Sequence, residues 1–151
     1  MPNRYTVTVT ATVNAWPTSG DITDYAIGAV FDPTLPTNFL TRVDSTGHFK
    51  ATLQRTKGKI SGPVQPGDKI TFTFSGSAGF TVTDVTGLTG LVGGLAWGAA
   101  STSNGSTSIT ATVTAAAVVA GNIHTEYVIA MKRTSDSATA SIDPDFETDV
   151  A

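Results

Sequence analysis

Residues 4–15 read Arg4-Tyr5-Thr6-Val7-Thr8-Val9-Thr10-Ala11-Thr12-Val13-Asn14-Ala15. Tyr5, Val7, Val9, Ala11, Val13 and Ala15 alternate with Thr6, Thr8, Thr10, Thr12 and Asn14. Successive side chains of a strand point to opposite faces, so this period of two puts apolar groups on one face and hydroxyls on the other. A helix would smear the same apolar residues around its circumference, and the β-branched run disfavours it further. The segment reads as a half-buried strand.

The same rhythm returns along the chain. Phe49, Ala51 and Leu53 alternate with Lys50, Thr52 and Gln54, and Ile70, Phe72 and Phe74 alternate with Lys69, Thr71 and Thr73. Ile109, Ala111, Val113 and Ala115 alternate with Ser108, Thr110, Thr112 and Thr114. Phe80 and Val82 continue the theme, but Val85 falls out of phase, which predicts a bulge or strand end near Asp84. Residues 25–31 and 127–131 are apolar on both faces and are expected to be covered on both sides, by a loop or a partner subunit.

The punctuation agrees. Asp44-Ser45-Thr46-Gly47, Lys57-Gly58, Pro66-Gly67-Asp68 and Gly76-Ser77-Ala78-Gly79 supply turn chemistry. Asn104-Gly105 is a strong two-residue hairpin signal. No segment carries a convincing 3.6-residue period. The expectation is an all-β fold: a two-sheet antiparallel sandwich of about eight strands, immunoglobulin-like or cupredoxin-like/jelly-roll, over residues 1–142. An acidic tail is expected at 143–151. Residues 32–46 and 86–103 read as long connections, of the kind that often carry function.

Pro66-Gly67-Asp68-Lys69-Ile70-Thr71-Phe72 resembles the turn-plus-strand of many cupredoxin-like and immunoglobulin-like sandwiches. The resemblance covers a small part of the chain. The copper-binding cysteine of cupredoxins and the Cys–Trp–Cys pattern of immunoglobulins are both missing.

Composition narrows the function. Of 151 residues only 14% are charged, against about 25% in ordinary globular chains, so Thr, Ser, Asn and Gly must supply the polar surface. A net charge of −3 argues against nucleic acid and against an anionic membrane surface. The absence of cysteine removes disulfides, thiolate catalysis, iron–sulfur clusters, blue copper and cysteine-bound zinc. No apolar run of about 18 residues calls for membrane insertion. The first residues show no signal-peptide core, and the compartment stays open between cytoplasm, virion and export without a visible signal.

Five sets of residues invite a functional reading. Asp143, Asp145, Glu147 and Asp149 are two apart, so an extended chain puts their carboxylates on one face, an oxygen-rich array of the kind Ca²⁺ takes. A solvated tail or a self-interaction arm are the competing readings. Trp16 and Trp97 offer flat rings for stacking on sugars, against core packing as the alternative. His48 and His124 stand beside no carboxylate pair in sequence and read as strand-end surface residues. Lys50, Arg55, Lys57 and Lys59 surround a hairpin tip, where lysines guard a strand edge. The Thr-x-Thr rows would need to be in register to bind ice, and they belong to separated strands in sequence.

No Gly-x-Ser-x-Gly elbow or phosphate-binding glycine loop is present, and no residue set can be given catalytic roles. The expected function is therefore a non-enzymatic binding or structural protein, a homo-oligomer of virion, surface or inclusion type. No cofactor is expected for it. The alternative is a carbohydrate-binding module or lectin that uses an exposed tryptophan and takes a glycan as its partner, with Ca²⁺ as an optional ion.

Overall fold

The computed structural model describes residues 2–151. Fifteen strands and no α-helix are found among them: β1 (Arg4–Ala15), β2 (Asp24–Phe31), β3 (Leu40–Arg42), β4 (Phe49–Thr56), β5 (Lys59–Ser61), β6 (Lys69–Gly76), β7 (Phe80–Thr86), β8 (Gly90–Val92), β9 (Leu95–Trp97), β10 (Ser101–Ser103), β11 (Ser106–Val113), β12 (Gly121–Glu126), β13 (Val128–Arg133), β14 (Thr139–Ile142) and β15 (Asp145–Val150). The all-β expectation holds. The expected two-sheet antiparallel arrangement of about eight strands does not.

Three sheets form instead. The largest has seven strands in the order β2-β1-β6-β11-β9-β8, with β10 paired to β11. A five-stranded sheet runs β12-β15-β4-β3, with β5 on β4, and a three-stranded sheet runs β14-β13-β7. Two of these are mixed, because β1 lies parallel to β6 and β15 parallel to β4. A parallel neighbour cannot be reached through a tight turn and needs a long crossover. Turn signals in the sequence see only the antiparallel neighbours. The added strands are mostly three-residue pieces inside the segments read as long connections, too short to show a period.

Alternation decides which face is buried. In β1, Tyr5, Val7, Val9, Ala11 and Val13 are buried while the threonines face outward. Phe72 of β6 packs edge-on against Phe49 of β4 and Phe146 of β15, with ring centroids 6.3 and 5.8 Å apart. These contacts join the seven- and five-stranded sheets across one continuous core, to which the three-stranded sheet adds Val82, Ile129, Met131 and Ile142. The outer face carries hydroxyl pairs across β6 and β11, Thr71 with Thr110 at 2.8 Å and Thr73 with Ser108 at 3.0 Å. Such cross-strand pairs add to the ladder. The threonine rows of β1, β6 and β11, remote in sequence, are thus neighbours in register.

Other local readings survive or fail for identifiable reasons. Asn104-Gly105 joins β10 to β11 with both residues at positive φ, 53° and 77°, as a two-residue hairpin of the primed type requires. The register slips where Asp84 and Val82 meet Ala130 and Met131, which is the bulge anticipated near Asp84. Residues 25–31 are not covered on both sides. They form β2, an edge strand whose Val30 is 71% exposed.

The end of the chain differs most. The acids expected to trail as a solvated tail are largely part of β15, which lies inside the five-stranded sheet between β12 and β4. Phe146, Thr148 and Val150 are buried on its core side. The charges at Asp145, Glu147 and Asp149 masked a second, apolar alternation in phase opposite to them.

Candidate functional site

The outward face of the five-stranded sheet gathers the chain's two histidines and its C-terminal carboxylates. β15 pairs His124 of β12 with Glu147 and Asn122 with Asp149. On its other side it pairs Glu147 with Lys50 of β4. His48 immediately precedes β4. Two separate stretches, β12 and residues 48–50, therefore place their polar side chains beside the carboxylates of β15.

The contacts are close. His124 Nδ1 lies 2.6 Å from Asp145 Oδ2. His48 Nε2 lies 2.9 Å from Glu147 Oε1 and 3.6 Å from Asp145 Oδ2. Asn122 donates to Glu147 Oε2 at 2.5 Å, and Lys50 Nζ sits 3.7 Å from that oxygen and 3.6 Å from Asp149. The two imidazole rings are 5.9 Å apart. Asp145 Oδ1 is buried and has no hydrogen-bond partner among the described residues.

The hydrogen bond that His124 donates to the Asp145 carboxylate favours the charged imidazole and raises its pKa above the usual value. Glu147 moves the other way. The Asn122 amide, then His48 and Lys50, hold its carboxyl below the ordinary range against the opposing effect of desolvation.

Sequence reasoning placed Asp145 and Glu147 in a metal site and missed both histidines, because their partners lie 99 and 21 residues away. Asp143 is exposed and lies outside β15, beyond the buried Pro144. An all-oxygen Ca²⁺ array is not what forms here. Two imidazoles enter the set, and Ca²⁺ prefers oxygen ligands.

The tryptophans have gone to packing. Trp97 is only 9% exposed and meets Phe146 edge-on at 5.1 Å, so it offers no face to a sugar. Trp16 is half-buried, stacked on Phe80 at 5.5 Å, with the Arg133 guanidinium 5.2 Å from its ring. Two groups already use the ring that a saccharide would need.

A second feature lies along the seam between the large and five-stranded sheets. The β8–β9 hairpin folds over β15, with Gly93 so close to Thr148 that any Cβ there would clash with its hydroxyl. Beside it, Leu91, Val119 and Ile123 are 56%, 84% and 44% exposed. Together with Val118 and Ala117 they line a shallow apolar depression. Ile123 belongs to β12, whose outer edge pairs with no other strand among the described residues.

No protein-family model matches the sequence, and no curated protein matches it. The fold is similar to the crystal structure of an inclusion body protein (PixA) from Burkholderia cenocepacia, with a TM-score of 0.52 and 10% identity over 100% of this chain and 97% of that one. At that identity the likeness is one of fold alone.

Proposed function

We infer that this chain is a non-enzymatic structural protein that associates with further copies of itself. The observation that carries this reading is the seam where Leu91, Val119 and Ile123 stand exposed beside the free edge of β12. Edge strands present unpaired N–H and C=O groups, and proteins usually blunt them with lysine, proline or a covering loop. β12 carries neither lysine nor proline. An apolar patch beside such an edge suits a second copy of the same edge, related by a twofold axis.

Further support comes from the other end of the large sheet. β2 is also an edge strand without lysine or proline; residues 42–46 cap it at Ile27, and its Val30 beyond that cap is exposed. A second contact at the uncapped end of β2, around Val30, would let assembly continue past a dimer. The small net charge of −3 offers little self-repulsion against crowding into a dense phase. The fold likeness to a protein named for inclusion bodies is consistent with this reading.

The absence of cysteine makes a direct test simple. Ile123→Cys introduces a single thiol on β12, and mild oxidation of the native-like variant should give a disulfide-linked dimer in high yield. Val43→Cys, at another exposed apolar position, should stay mostly monomeric. Equal cross-linking of the two variants would remove the β12 edge as the contact.

A further inference from the structure

We propose that His48, His124, Asp145 and Glu147 form a binding site for one borderline divalent transition-metal ion, with Zn²⁺ as the best fit, on the outward face of the five-stranded sheet. The proposal is independent of self-association.

The donor set argues for the metal. Two imidazole nitrogens and two carboxylates suit Zn²⁺ or its neighbours, whereas Ca²⁺ and Mg²⁺ take oxygen. The geometry argues for one ion rather than scattered ion pairs. One ring nitrogen each of His48 and His124 and a carboxylate oxygen of Asp145 all lie within 4.8 Å of one another. Ligand atoms around a tetrahedral zinc bonded at 2.0–2.1 Å stand about 3.3 Å apart. Three pairs here are separated by 2.6, 2.9 and 3.6 Å, which brackets that spacing. Glu147 Oε1 meets His48 but lies outside the 4.8 Å group, so its side chain would turn toward the ion, with the two imidazoles drawn closer together, to complete the set.

The scaffold suits a site as well. Glu147, 9% exposed, and Asp145 both project from β15, an interior strand, so the carboxylates start from a rigid element. Glu147 Oε2 is held by Asn122 and Lys50, which leaves Oε1 directed at His48. That is the arrangement in which neighbouring groups orient a ligating carboxylate. Asp145 Oδ1 is buried without a partner among the described residues, so the carboxylate has an oxygen to spare when Oδ2 is engaged. An ion would take the place of the protons now shared between imidazole and carboxylate, and those protons would pass to solvent. Because its ligands come from β12, β15 and the residue before β4, it would also tie three strands together.

The test uses the untagged full chain freed of metal with a chelator. His48 and His124 are the only histidines, so their ring resonances are resolved directly by NMR. Titration with ZnCl₂ should shift both sets together and saturate at one ion per chain. Co²⁺ should give visible d–d absorption of four- or five-coordinate type. His124→Gln, at an exposed position, should weaken Zn²⁺ binding at least tenfold while the far-ultraviolet circular dichroism stays native. The double variant His48→Gln/His124→Gln should abolish saturable uptake. Ring resonances that do not move at millimolar Zn²⁺, or stoichiometric uptake that persists in a folded double variant, would overturn the site.

Discussion

Tyr127 donates its phenol hydroxyl to the backbone carbonyl of Gly47 at 2.6 Å, across 80 residues of chain. The ring is fully buried, and burial raises the phenol's pKa far above its ordinary value, so it remains a neutral donor. Tyr127 N–H also donates to Pro144 O. Gly47 sits at φ 95°, with Pro144 and Ile27 so near that a Cβ would meet them at 3.0–3.1 Å. This interlock fixes the turn that carries His48 and the chain leading into β15. Tyr127→Phe leaves the Gly47 carbonyl unpaired and is expected to cost about 1–2 kcal/mol in denaturant unfolding.

Thr148 points the opposite way from Glu147, toward the core, and its hydroxyl is buried without a partner among the described residues. Replacing an unsatisfied hydroxyl with a methyl of the same shape removes a desolvation penalty of about 1 kcal/mol or more. Thr148→Val should therefore be neutral or stabilising by up to about 1 kcal/mol. A loss of stability on thermal unfolding would show that the hydroxyl has a partner after all.

Asp68 is 1% exposed and accepts backbone N–H groups from Asn3 and Gln65, each at 2.9 Å. It holds the start of β1 against the turn before β6, where the parallel pairing begins. Hydrogen bonds to a charged acceptor are worth about 1.5–3 kcal/mol each, and Asp68→Ala strands both donors. We expect a loss of at least about 2 kcal/mol in chemical denaturation. Asp68→Asn should lose less, because one carbonyl acceptor remains.

Arg133 forms a forked pair with Asp136, at 3.0 and 2.6 Å, in the turn after β13. The guanidinium, followed by the Ala138 N–H, lowers the Asp136 pKa from 3.8 to about 2. A depressed folded-state pKa contributes stability above the unfolded value that is lost as pH falls through the folded one. The native chain's advantage over Asp136→Asn should be full above about pH 5 and vanish near pH 2. Added salt should shrink it, since the pair is exposed. Melting curves of both proteins across that range check the sign.

The fold was legible wherever alternation ran for six residues or more. β1, β4, β6 and β11 fall where the period of two placed them, and Asn104-Gly105 marks its hairpin. The parallel pairs β1–β6 and β4–β15 left no trace, because register between strands far apart in sequence is set by core packing such as Phe49 on Phe146. β15 was obscured by its own charges, since acids at every second position drew attention from Phe146, Thr148 and Val150 between them. Half of the polar cluster could be read, in Asp145 and Glu147. Its histidines could not, because nothing local distinguishes a histidine that meets a carboxylate 99 residues away. The tryptophans were misleading in a simple way: a large ring has more surface to bury than to display.

Ile123 on β12, with Val119 and Leu91 beside it, is proposed to drive self-association. Sedimentation velocity over a concentration series tests it most directly, with native chain beside Val119→Asp/Ile123→Lys. The native protein should sediment progressively faster as concentration rises, through dimers to larger species, while the double variant remains a monomer of 15.5 kDa. A native chain that stays monomeric throughout, or a folded variant that associates just as strongly, would rule out association through this edge.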